Sequence, residues 1–181
     1  MAVIEAISTT YLEADVANLS SVVFSSIPST YEHLQLRISG RDSTTDYWSP
    51  DLLVLFNSDS GSNYSSHYMY ADGTSATTAS YTGQSSMIWG QNSGSHSTSQ
   101  ATQYGGIIVD ILDYANTNKN TTVCIVSGVI NTPQSALRFS SSLWDDTSVV
   151  SQIDLIGGHS GGSGGGWVRG SEITLYGLNS S

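Results

Sequence analysis

The amino-acid sequence predicts an all-β protein: a single-domain antiparallel β-sandwich, jelly-roll-like, spanning residues 1–181. Three observations carry this expectation. Nine apolar, β-branched or aromatic runs are separated by turns rich in Ser, Thr, Gly, Asn and Asp. Several runs alternate apolar and polar residues with period two, and no segment sustains a helical period. A length of 181 residues suits one sizeable core and is short for two.

The runs are Ala2–Thr9, Val22–Ile27, His33–Ser39, Leu52–Asn57, Tyr104–Leu112, Thr122–Ile130, Arg138–Trp144, Ile153–Ile156 and Glu172–Leu178. In His33–Ser39, Leu34, Leu36 and Ile38 share one face and His33, Gln35, Arg37 and Ser39 the other. Glu172–Leu178 sets Ile173, Leu175 and Gly177 against Thr174 and Tyr176, and Ser151–Leu155 repeats the pattern. One wet and one dry face mean antiparallel strands lying on a core. Leu52–Phe56 and Ile107–Leu112 are more continuously apolar. They read as central strands buried on both faces, or with one face covered by a loop or a neighbouring subunit. Tyr104–Tyr114 competes as a helix, but its Gly105-Gly106 start, β-branched content and short length favour a strand. The region from Gly61 to Gln103 is rich in Ser, Thr, Gly and Tyr and breaks the strand rhythm. A connection that long is functional or carries its own strands, so a hairpin or two is expected there, exposed at one end of the sandwich. His159–Gly166 reads as a turning loop inside the domain.

Composition narrows the function classes. The net charge is −10, and the only basic residues are Arg37, Arg41, Lys119, Arg138 and Arg169. Nucleic-acid binding needs a clustered basic patch to displace phosphate counterions, so DNA is a poor partner, and anionic membranes repel such a chain. No run approaches the roughly 20 apolar residues of a membrane helix, and Met1–Ala6 has neither the basic nor the apolar region of a secretory signal. The single cysteine, Cys124, excludes an internal disulfide and reads as a small core hydrophobe. Charged residues are only 11% of the chain, with Ser and Thr filling the exposed positions. Such surfaces suit exposed strands.

No catalytic constellation emerges. His33, His67, His96 and His159 lack ligand spacing, and no Gly-x-Ser-x-Gly nucleophile elbow stands at a strand-to-helix turn. Asn57–Asn63 places oxygen side chains at alternate positions, as calcium loops do, but Tyr68 stands where the bidentate carboxylate belongs. It reads as a turn held by Asx hydrogen bonds, and Asp145-Asp146 as a solvated turn. The chain is therefore expected to be no enzyme and to need no metal or cofactor. Tyr and Trp offer large contact area at low entropic cost, stacking on sugar rings or anchoring interfaces. Tyr47, Trp48, Tyr64, Tyr68, Tyr70, Tyr81 and Trp89 are thus the candidate residues for surface recognition or subunit contact. The competing reading makes them the filling of one sandwich end.

Four segments, in order, resemble a family of virion proteins from tailed bacteriophages, those of cyanobacteria in particular. They are Tyr31-Glu32-His33-Leu34-Gln35-Leu36-Arg37; Phe56-Asn57-Ser58-Asp59 through Asn63-Tyr64-Ser65-Ser66-His67; Ile111-Leu112-Asp113-Tyr114-Ala115-Asn116-Thr117-Asn118-Lys119; and Gly170-Ser171-Glu172-Ile173-Thr174-Leu175-Tyr176-Gly177-Leu178. The resemblance implies a β-sandwich used either as a trimeric decoration (cement) protein on the capsid or as the host-facing tip of a tailspike or tail fibre. It implies no active site. A strand beginning almost at Met1 leaves no place for a shaft, which favours decoration. The expectation is a homotrimer on the outer capsid surface of the virion, bound to the major capsid protein and stabilising the shell. The alternative is a receptor- or carbohydrate-binding tip, or a lectin-like domain, with host surface glycans as partners.

Overall fold

A computed structural model describes residues 3–15, 21–41, 43, 51–91, 102–130, 135–159 and 166–180. Among them no helix occurs. In chain order the strands are β1 (Val3–Tyr11), β2 (Ser21–Phe24), β3 (His33–Gly40), β4 (Asp51–Phe56), β5 (Tyr64–Ala71), β6 (Ala76–Gln84), β7 (Met87–Gln91), β8 (Gly105–Leu112), β9 (Thr121–Val129), β10 (Ala136–Trp144), β11 (Ile153–His159) and β12 (Glu172–Asn179). They form a wide sheet of order β1-β12-β3-β8-β9-β10-β5-β6 and a narrow sheet of order β2-β11-β4-β7. Every pairing is antiparallel. The chain crosses repeatedly between the sheets, which gives the sandwich its jelly-roll-like character.

Period-two alternation builds the core. Leu34, Leu36 and Ile38 of β3 and Ile107, Val109 and Ile111 of β8 point inward from the wide sheet. They belong to one apolar cluster with Leu52, Val54 and Phe56 of β4 and Ile153 and Leu155 of β11. Phe56 meets Trp89 edge-on at 5.9 Å and Trp144 at 5.6 Å between ring centroids. Each such pair adds about 0.5–1.5 kcal/mol beyond area burial.

Each of the nine runs overlaps a strand, and three further strands come from the region from Gly61 to Gln103 where a hairpin or two is expected. β5 and β6 do form a hairpin, but it does not hang from an end of the sandwich. It widens the large sheet beyond β10, and β7 then crosses to the edge of the narrow sheet. Asp72 closes the hairpin by accepting from the Thr74 hydroxyl and from the Ser75 and Thr74 amides, and these bonds, the hydroxyl's foremost, hold its carboxyl down at about 2. Of the two expectations for the continuously apolar runs, burial on both faces within one chain is overturned, and cover by a neighbouring subunit is the one left. Leu53 and Leu55 are only half-buried, and Ile108 and Leu112 are exposed, so neither β4 nor β8 is covered on both faces. Cys124 is likewise exposed, because alternation along β9 turns it away from Val123 and Ile125. Most of the His159–Gly166 loop lies outside the described residues.

Segments of the phage-like pattern meet at one end of the molecule. The left-handed backbone of Asn57 (φ 53°) suits asparagine. Its Oδ1 accepts from the Ser151 and Gln152 amides while Nδ2 donates to the Val149 carbonyl. Glu32 accepts from the amide and hydroxyl of Ser180. The Asp113 amide donates to His33 Nδ1, and the Asp113 carboxylate pairs with Lys119. Tyr31 lies on Gly177 and donates through its hydroxyl to Glu5.

A methyl group at Gly177 would stand 2.4–2.5 Å from three Tyr31 ring atoms, so Gly177→Ala forces the ring away. A loss of about 1–3 kcal/mol is expected from such overpacking, measured by denaturant unfolding. Most of it should vanish in a Tyr31→Ser background, where the ring is gone.

Candidate functional site

The outward positions of the wide sheet form the most unusual surface of the molecule. Cross-strand register aligns Ile108 of β8, Val126 of β9, Phe139 of β10 and Met69 of β5 in one row. Each is 45–48% exposed. Leu137 extends the patch on β10, and Leu112 stands further along β8. Scattered exposed apolar residues are ordinary, but four in register on adjacent strands form a contiguous patch of the kind that marks an interaction face.

Strand β10 explains how the row arises. Its polar residues Arg138, Ser140 and Ser142 face inward and are buried, whereas Leu137 and Phe139 face outward. This inverts the usual half-buried strand. Polar groups can be buried here because they find partners: Ser142 Oγ lies 3.0 Å from Ser66 Oγ, and Arg138 Nε donates to Ser140 Oγ at 3.2 Å. The Arg138 guanidinium also sits 3.6 Å from the centre of the Tyr68 ring, in cation–π contact.

Beside the row, Gly106 and Gly128 are directly paired across β8 and β9. Two adjacent outward positions without side chains leave a shallow groove of about 500 Å³, walled by Ile108, Val126 and Leu137 and rimmed by Arg37 and Glu172. A Cβ built on Gly106 meets nothing within 4 Å. Arg37 Nε donates to Gln35 Oε1 at 2.9 Å, and Gln35 Nε2 donates to Asp110 Oδ1 at 2.8 Å. Arg37 is thus linked through Gln35 to Asp110 within the chain, while Glu172 stands at the opposite rim.

The aromatic candidates separate into three groups. Tyr64 and Trp89 are fully buried, which corrects their reading as surface residues. Tyr64 accepts from the Phe56 amide and donates to the Asp59 carbonyl, and burial pushes its phenol up to about 12. Tyr68, Tyr70 and Tyr81 share the inner side of the β5–β6 wing. Tyr81 is exposed, the other two are half-buried, and the Tyr68 and Tyr81 rings lie 6.1 Å apart. Tyr47 and Trp48 lie outside the described residues. Sequence reasoning missed the Ile108–Val126–Phe139–Met69 row. Its signal was Leu137-Arg138-Phe139-Ser140, an alternation whose inward side becomes clear only once β9 and β5 are placed alongside.

The Asn57–Asn63 loop is held internally. Asp59 Oδ2 accepts from Trp144 Nε1 at 2.8 Å and Asn63 Nδ2 at 2.9 Å, while Oδ1 accepts from the Gly61 amide at 2.8 Å. These bonds, Asn63 foremost, hold its carboxyl below the usual range. Among the described residues no group of three or more His, Cys, Asp or Glu side chains is placed to hold a metal ion.

No protein-family model matches the chain, and no curated protein does. Among solved structures it is similar to peanut lectin with a nine-residue peptide, at 10% identity and a TM-score of 0.25. That match covers 99% of this chain and 93% of the lectin. So loose a likeness carries no inference about residues or ligands.

A carboxyl whose folded pKa is depressed stabilises the fold above its unfolded pKa, and that contribution is lost as pH falls through the folded value. Asp59→Asn should therefore lower stability at neutral pH by about 1–3 kcal/mol. The variant should also lose less of its remaining stability than the parent as pH drops below about 4. Thermal unfolding of both proteins across that range provides the check.

Proposed function

We propose that this chain is a bacteriophage capsid decoration protein, a non-enzymatic structural component that binds the outer surface of the shell and stabilises it. The observation that carries the reading is the inverted β10, with Leu137 and Phe139 turned outward into a row with Ile108, Val126 and Met69. A surface that is apolar across adjacent strands gains free energy when another protein covers it. A decoration protein is a part of such an assembly: it works as an oligomer, and its contacts with the shell stabilise the state they bind. The phage-like segments between residues 31 and 178 support the same reading. The strong acidity also suits a place outside the DNA-filled interior. In this reading the chain is a homotrimer whose weak contacts with the major capsid protein are multiplied by symmetry.

The second reading, a receptor- or carbohydrate-binding tip, is favoured by one observation. Tyr68, Tyr70 and Tyr81 share one side of the β5–β6 wing beside Arg138 and serine hydroxyls. Aromatic faces with nearby hydroxyl and guanidinium donors suit a saccharide.

Co-sedimentation of the purified chain with undecorated shells of its phage separates the two. Saturable binding that raises the temperature at which shells lose their DNA is the expected result. Absence of binding, together with glycan retention abolished by Tyr81→Ala, would replace decoration with the tip reading.

A further inference from the structure

We infer that the occupant of the apolar outer face is a second copy of this chain, with Phe139 of one copy seated on the Gly106–Gly128 floor of the other. This deepens the decoration reading and rests on it only for the expectation that the chain works as an oligomer.

Shape supplies the first ground. Phe139 projects from β10, and the side-chain-free Gly106–Gly128 pair lies one and two strands away on the same face, one outward position further along. A knob and a hollow side by side on one face are self-complementary. Turning a second copy over about an axis midway between them sets each knob against the other's hollow.

Charge supplies the second. The chain carries a net −10, so two copies repel at most orientations. At the outward positions of the wide sheet, the only acids among the described residues are Asp110 and Glu172. Asp110 is already bonded through Gln35 to Arg37 on the same face. Two like-charged copies can therefore close over this face with little unpaired charge between them, and Arg37 and Glu172 stand at its rim to meet opposite partners.

Area supplies the third. Eight strands about 4.8 Å apart, each showing four outward residues about 6.8 Å apart, present roughly 1,000 Å². A stable interface takes about 800 Å² from each partner. The face is large enough to hold two copies without a third protein.

The test uses light scattering after size exclusion on the full chain and on two variants. Phe139→Glu removes the knob at an exposed position, so the fold should survive, as far-UV circular dichroism would verify. Gly106→Leu fills the hollow, and the open space above Gly106 means the isolated chain accommodates the side chain. The parent should run at two or three times 19.2 kDa. Each variant should dissociate at least about tenfold more readily, the scale of losing a buried aromatic anchor. Maleimide labelling of the exposed Cys124, which stands on the same face beside Asp110 and Ser141, should be slow in the parent and fast in both variants. A parent that stays monomeric at high micromolar concentration overturns the inference. So does an oligomer that both variants leave intact, since the copies then meet elsewhere. Self-association without shell binding would sink decoration alone, whereas shell binding by a monomeric parent would sink this inference alone.

Discussion

Four strands spaced at about 4.8 Å roof only about half the width that eight strands span, and this shortfall governs the chemistry of both faces of the wide sheet. Where β12, β3, β8 and β9 bear the core, their inward residues are Ile173, Leu36, Val109 and Ile125. At β10, which β7 of the narrow sheet packs against, the inward side holds Trp144 in the core at one end and then Ser142, Ser140 and Arg138, and β5 runs alongside from Tyr64 to Ser66 and Tyr68. Polar groups left unpaired in such a place would cost about 1–3 kcal/mol each. The Ser66–Ser142 contact and the Arg138–Tyr68 stack are what make the wing tolerable. The apolar side of β10, with Leu137 and Phe139, faces outward, away from the narrow sheet. The β5–β6 wing depends on its backbone ladder more than on the core. An edge built this way gains from a partner laid across it.

The same shortfall decides how much of the fold could be read in the sequence. Strands over the core announce themselves by alternation, so His33–Ser39 and Glu172–Leu178 were legible nearly to the residue. β5 and β6 were not, because Tyr64–Ala71 and Ala76–Gln84 carry Ser, Thr and Tyr on sides that no core demands be apolar. Ile107–Leu112 misled in the opposite direction. Its outward Ile108 is as apolar as its inward Ile107, and composition cannot tell an inner face from a face awaiting a partner. Cys124 failed for a related reason: a residue type that is usually buried sits on the outward beat of its strand. Of the aromatic residues, Tyr64 and Trp89 were drawn into the core by Phe56 and the loop after β4, contacts between segments 8 and 33 residues apart that no local pattern reveals.

Part of the acidity of the chain is turn chemistry. Asp72 accepts amides at the β5–β6 turn, Asp59 ties the loop after β4 to Trp144, Asp113 holds Lys119, and Glu32 clamps Ser180. Each of these carboxyls is held below its ordinary range, by hydrogen bonds to its neighbours foremost. A turn stabilised by an ionised Asp places negative charge at strand ends and keeps it off strand faces. The wide sheet's outer face is left nearly uncharged for that reason as well as through its apolar residues. One set of choices serves both ends: carboxylates that order the loops also leave the sheet face free of repulsion.

The four segments around Tyr31, Asn57, Asp113 and Gly177 and the apolar row fall on different parts of the molecule. Tyr31, Asn57, Asp113 and Gly177 do scaffold work, shaping turns and packing one end of the sandwich. Val126 and Phe139, on β9 and β10, lie outside every one of those segments. A likeness carried by scaffold residues transfers an architecture, while a partner is chosen by what the architecture displays. Proteins sharing these turns could seat quite different neighbours by rewriting the outward beats of β8, β9, β10 and β5. In this chain those beats are Ile108, Val126, Phe139 and Met69. They, and not the turns, determine which partner the sheet can hold.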